Sequence, residues 1–331
     1  MNILLAILLS YGYSPGDSSW NLVTLGNIPE RAIFFAELAA KDGGRSTVDL
    51  AAILEMAGRF AEAERYYNLA LNSSTDSLLS EWLENRISGS RTLDTLVILS
   101  TFVTNMSDED AIDILVEIPL PVPHPPYQQI ERLAGVFKAD GNLMRYWIDL
   151  LPSQTTVVLP LVLHIRQQPY SFRPLPLYYP DIYGSINLED ISSLIRTTQI
   201  PETETGPGPC LEIAHLLQNS AKEAGLELQI IGGLFRTGSD SLLFHAWNLL
   251  PGTGIPIDAV LFQADSLRGI GHCPADVIPL WDFEHTDGHE VSIFYPQQNI
   301  QLDISMQASF ADPNLITELL RLFPICLLSG I

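Results

Sequence analysis

Basic residues are scarce: 17 lysines and arginines stand against 39 acidic residues in 331, a formal charge of −22. A field of that sign repels phosphate backbones and anionic headgroups, which excludes nucleic acid and membrane surfaces as partners and favours cationic or neutral ones, weakly at physiological salt. Cysteine is scarce too. Cys210, Cys273 and Cys326 are too few for a disulfide framework, so cysteine usage leaves the compartment open. No apolar run is long enough to be expected to span a bilayer, and the run from Ile3 to Leu9 is far too short. Small residues follow it but no Lys or Arg precedes it, so residues 1–19 fit a cleaved export signal and a first buried helix equally well. Exported and cytoplasmic locations both stay open. The acidic residues are scattered rather than set out as a calcium loop, and His285 and His289 straddle an Asp287-Gly288 turn that keeps them off one helix face. No metal or other cofactor is expected.

With 47% hydrophobic residues, the chain is long enough to bury two cores. Residues 20–152 read as mostly helical. In the segment AGRFAEAERYYNLAL, Gly58, Phe60, Ala63, Tyr67 and Ala70 fall at a spacing that resembles the tetratricopeptide repeat, in which small residues let antiparallel helices approach. Gly26, Ala32, Phe35 and Ala39 form a looser copy, the two alanine pairs lying 31 residues apart. Leu133 to Leu151 reads as helix, Gly141, helix, a degenerate relative. An unrelated helical bundle accounts for the same pattern. Ile118 to Tyr127 holds five prolines and reads as an extended connector.

A boundary is expected near Leu151 to Thr155, with an α+β domain over 153–331. Val157 to Ile165 suits a strand or a buried helix, and His164 within it suits a core or surface role better than a ligand's. Residues 167–184 are rich in proline and tyrosine and read as a loop, followed by a helix from Asn187 to Thr198. Trp281 to Tyr295 alternates around Asp287-Gly288 as a hairpin would, and Pro313 to Leu322 reads as a closing helix.

The chemistry concentrates in Gly206 to Asp265. Gly-Pro-Gly-Pro cannot be helical, yet Leu211, Ala214, Leu217, Ala221 and Ala224 recur at helical spacing up to Gly225, where a C-terminal cap belongs. Cys210 therefore opens a helix, where unpaired amides and the helix dipole favour the thiolate. A strand from Leu226 to Ile230 follows, loosened at Gly232-Gly233. Leu242 to Leu250 reads as a strand with Leu243, His245, Trp247 and Leu249 on one face. After a turn at Pro251-Gly252-Thr253-Gly254, the chain returns as a strand from Ile255 to Phe262 carrying Asp258. An even-numbered loop would place His245 and Asp258 on one sheet face.

Gly-Pro-Cys at a helix start, His-Ala-Trp on a strand and an aspartate on the next strand together resemble the transglutaminase-like superfamily, relatives of papain. The resemblance covers about sixty residues and implies Cys210 as nucleophile, His245 as general base and acid, and Asp258 as the group that orients the imidazole. Pro209 and Leu211 flank the cysteine where family members often carry an aromatic or amide residue, which leaves the second oxyanion donor unassigned. The implied activity is attack on an amide or peptide carbonyl of a protein or peptide substrate through a thioester, resolved by water or by an amine. Each residue alone has a structural explanation: a buried thiol, a core histidine, a strand-end cap. The competing class is an interaction or scaffold protein whose helical hairpins bind a peptide partner, with an inert transglutaminase-like module.

Overall fold

Helix-forming sequence, interrupted only by short connections, occupies residues 30 to 89. The computed structural model describes residues 30–41, 43–135, 137–141, 143–172, 188–198, 209–237, 241–264, 268–282, 292–297, 299–312 and 314. Among the described residues four helices come first: α1 (Glu30–Ala40), α2 (Arg45–Met56), α3 (Phe60–Ser73) and α4 (Ser77–Gly89). Asp76 starts α4 by accepting the Leu78 and Leu79 amides on its side chain, and so satisfies two of the helix's orphan donors. Ala36, Ala63 and Tyr67 are buried among these helices together with Leu50, Leu54 and Leu83. Of the small and aromatic residues singled out above, Ala32, Phe35, Ala39, Ala63, Tyr67 and Ala70 are buried, whereas Phe60 is half-buried and Gly58 exposed.

The helical expectation for 20–152 fails beyond α4. Residues 93–151 are strands: β1 (Leu93–Asn105), β2 (Ala111–Pro119), β3 (Gln128–Ala134), β4 (Lys138–Asp140) and β5 (Leu143–Leu151), with β6 (Thr156–Gln167) following. In β1 the second half alternates between buried and half-buried positions, the period of a strand. Leu133 to Leu151 is not a helical hairpin. Gly141, at φ 57°, takes the left-handed turn that joins β4 to β5, with Asp140 paired to Leu143. Val157 to Ile165 resolves as strand.

Later come β7 (Tyr170–Ser171), α5 (Leu188–Thr197), α6 (Pro209–Glu223), β8 (Gln229–Thr237), β9 (Ser241–Leu250), β10 (Ile255–Ile257), α7 (Ala259–Ala264), β11 (His272–Cys273), β12 (Val277–Asp282), β13 (Ser292–Phe294) and β14 (Leu302–Phe310). The architecture is α+β, helices with antiparallel sheets. The four-stranded sheets have the orders β14-β1-β6-β3, β13-β2-β5-β4 and β10-β9-β8-β12. The expected hairpin around Asp287-Gly288 falls on residues 283–291, outside the described residues; of the strands flanking it, β12 belongs with β8 and β13 pairs with β2. Gly232 and Gly233 do not loosen β8, which runs through both. A Cβ on Gly233 would collide with the Ile278 carbonyl, so glycine permits that approach.

The chain packs as two compact units, and neither follows the expected boundary near 151–155. One takes the described residues within Met1–Thr92, Gln168–Ile230 and Ala246–Val277, and the other those within Leu93–Gln167, Ile231–His245 and Ile278–Ile331. In the first, Ile191, Ile195, Ile213, Leu217, Leu250, Ile257 and Phe262 form a core. Among the described residues no helix is long and apolar enough to cross a membrane. The N-terminal segment 1–19, the closing helix save Asn314, most of the proline and tyrosine-rich loop, His285 and His289 lie outside the described residues.

Candidate active site

Helix α6 begins at Pro209, whose missing amide proton costs nothing at a first helical position, and ends before Gly225, which sits at φ 81° as a left-handed cap. Cys210 is thus the second helical residue, outside any disulfide and only partly buried. One turn later the helix is anchored. The buried Asn248 amide on β9 donates to the Ala214 carbonyl at 3.1 Å, and Gln218 donates to the Leu228 carbonyl at 2.7 Å. Ile213, Leu217 and Ala221 bury the adjoining stripe, so rotation of α6 would expose core.

His245 is half-buried on β9, its ring 6.0 Å from the Phe235 ring at a 50° tilt. Alternation along the strand sets His245 on the face of Trp247, and Asn248 on the other. Asp258 corrects the expectation of a strand to Phe262. The strand ends at Ile257, and Asp258 caps the short helix α7, its Oδ1 accepting the Leu261 amide at 2.9 Å. Its own N–H donates to the Gly269 carbonyl at 2.7 Å. The register of β9 with β10 pairs Ile257 with Asn248, which would carry Asp258 opposite Trp247, one diagonal step from His245, had the strand continued. Helices α6 and α7 touch, so Cys210 and Asp258 stand on neighbouring helices of the first unit, while His245 closes a stretch of the second.

Gly269 holds Asp258 in place by its smallness, since a Cβ there would collide with the Phe262 backbone. Its backbone is not in the left-handed region, so the penalty for a side chain is steric alone. Gly269→Ala is expected to cost about 1–3 kcal/mol by overpacking, read as a lowered urea midpoint at an unchanged slope.

A second polar centre escaped the sequence reading. Glu55 of α2 is 1% exposed, and its Oε1 accepts Arg268 Nε and Nη2 at 3.0 and 2.9 Å. Oε2 accepts the Tyr67 hydroxyl at 2.6 Å and Arg86 Nη1 at 2.7 Å. His272 Nε2 lies 3.1 Å from Oε1. Burial raises the Glu55 carboxyl, but Arg268 and Arg86 outweigh it and hold the group well below the ordinary range. Asp276, also buried, goes the other way: desolvation raises it against the pull of Arg268. The signal available in the sequence was a lone acid inside LAAILEMA.

His164 is a surface group. Its Nε2 meets Asp94 Oδ1 at 2.5 Å, and that hydrogen bond raises the imidazole above its usual value. Among the described residues no cluster of three or more His, Cys, Asp or Glu is placed to hold a metal ion. A cavity of about 580 Å³ lies among α2, α3 and α4, with Val48, Ala52, Ala70 and Trp82 in its wall and Asp49 and Asp76 at its polar edge. None of Cys210, His245 and Asp258 lines it.

No protein-family model matches the chain, and no curated protein sequence matches it. Among solved structures, it is similar to a proposed cysteine protease from Cytophaga hutchinsonii. That similarity has a TM-score of 0.37 and 11% sequence identity, over 67% of this chain and 93% of that one.

Proposed function

We propose that this chain is a cysteine enzyme of the transglutaminase-like kind, with Cys210 as nucleophile, His245 as general base and acid, and Asp258 orienting the imidazole. The observation that carries the reading is the placement of Cys210: a partly exposed cysteine outside any disulfide, on the first turn of a helix anchored by Asn248 and Gln218. The helix dipole at that end favours the thiolate. The sulfur attacks an amide or peptide carbonyl, forming a C–S bond as His245 takes the thiol proton. The C–N bond then breaks, the leaving amine takes that proton from the imidazole, and water or a second amine resolves the thioester. Asp258, buried and tied by its own backbone to Gly269, suits a fixed orienting carboxylate. The reading requires one local feature: since Asn248 is the β9 side chain that reaches α6, strict alternation must break between His245 and Asn248 for the imidazole to face the sulfur.

Thiol labelling tests it. Iodoacetamide near neutral pH is expected to modify Cys210 far faster than Cys273 or Cys326, with sites assigned by peptide mass. Equal, slow labelling of all three sinks the enzyme reading. It would leave the cavity among α2, α3 and α4 as the seat of function, binding a peptide partner against Trp82.

A further inference from the structure

The outer face of the sheet β13-β2-β5-β4 carries an apolar ladder in register. Phe294 pairs with Leu115, which pairs with Trp147, so three large side chains line up across three strands. Ile112 and Leu150 pair further along. Trp147, Leu150 and Phe294 are 56, 54 and 53% exposed, whereas the alternate positions Val116, Ile118, Met144 and Tyr146 are buried. A sheet with its inner face packed ordinarily shows water a polar outer face, so consecutive aromatic and aliphatic rungs there mark an interaction surface.

Charge on the same face identifies the occupant. Asp113 and Asp149 lie beside these rungs, between Ile112 and Ile114 and between Ile148 and Leu150; Asp113 takes φ 53° and is passed over in the pairing of β2 with β5. Both residues are exposed. Asp108, Glu109 and Asp110 add exposed carboxylates in the loop leading into β2. Arg145, further back along β5, is already engaged by Glu117 at 2.6 Å and by Asp140. The ladder runs across the sheet's face rather than along an edge, so its contacts are made by side chains and not by strand addition. We propose that this face docks a cationic amphipathic helix of a partner protein, its apolar stripe lying on Trp147, Leu115 and Phe294 and its lysines or arginines on Asp113 and Asp149.

The probe is a blocked Leu/Lys amphipathic peptide of about 18 residues, which spans roughly 27 Å as a helix, with the Leu/Glu counterpart as control. Titration of the full chain is expected to show binding of the Lys peptide only, weakening as salt rises. Hydrogen exchange should show protection within 112–117 and 145–150. Trp147→Ser and Asp149→Lys, both at exposed positions, should each raise Kd by about tenfold or more with circular dichroism unchanged. Unchanged affinity in both variants, or protection elsewhere, overturns the proposal by reducing the binding to general charge attraction. So does a wild-type dimer that Trp147→Ser converts to monomer in sedimentation, since the occupant would then be a second copy.

Discussion

Glu55→Ala is expected to lower the unfolding free energy by about 3–5 kcal/mol, the cost of leaving buried charge without its partner. Arg86 and Arg268 both donate to this carboxylate and both are buried, so the substitution strands two guanidinium groups out of reach of water. Glu55 also accepts from Tyr67, whose hydroxyl would lose its bond. The residues come from α2, α3, α4 and the stretch after α7, so the loss is felt across the whole first unit. Urea unfolding followed by circular dichroism measures it. Glu64→Ala is the control: it removes an exposed pair with Arg91 and should shift stability by about 0.2–1 kcal/mol. Equal effects of the two substitutions would refute the account. The pH dependence has a definite sign. Because the folded Glu55 carboxyl is held below its ordinary 4.5, its contribution is complete above that pH and is lost as acid drives the folded group to protonate. Asp276, raised by burial, opposes it, since protonating that group favours the fold. Glu55→Gln should therefore flatten the acid limb, and an unchanged limb would assign acid sensitivity elsewhere.

His245→Ala is expected to slow alkylation of Cys210 by about 30-fold at pH 7, because an ordinary thiol of pKa ≈ 8.5 is only about 3% thiolate there whereas one paired with imidazolium is largely ionised. The gap should close above about pH 9, where any thiol ionises. That convergence separates lost activation from lost access, since a merely disturbed fold would shift the rate at every pH. Asp258→Asn gives a second arm. Asparagine caps a helix nearly as well as aspartate, so the bond to Leu261 survives while the charge goes. A pH–rate profile displaced without loss of melting temperature is the expected outcome. Profiles identical to wild type in both variants would leave Cys210 a thiol at a helix start and nothing more.

Particular residues show how far the chain could be read unaided. Proline before Cys210 and glycine after Ala224 act on their own backbone and on neighbours, so both ends of α6 were legible within a residue or two. The turn at residues 251–254 was legible for the same reason, with Gly252 and Gly254 both at positive φ. The strands of 93–151 were not. Leu133 to Leu151 mixes helix formers with glycine, β-branched and aromatic residues, and what makes it sheet is pairing with β2 and β6, which local propensity does not encode. Asp258 illustrates the same limit on a smaller scale: its capping of α7 depends on the Gly269 carbonyl receiving its amide, eleven residues away in sequence.

What the sequence determined by itself is therefore local: the helix that presents Cys210, the turn between β9 and β10, the burial of Ala63 and Tyr67, and the sign of the protein's field. Tertiary structure alone decided that the four helices share a core unit with the Cys210 helix, that β2 and β5 align Leu115 with Trp147, and that Glu55 is enclosed by arginines 31 and 213 residues distant. The physical reason is range. Backbone restriction and capping act over a few residues, whereas ion pairing and sheet register depend on groups that only the folded chain brings within a few ångströms of one another.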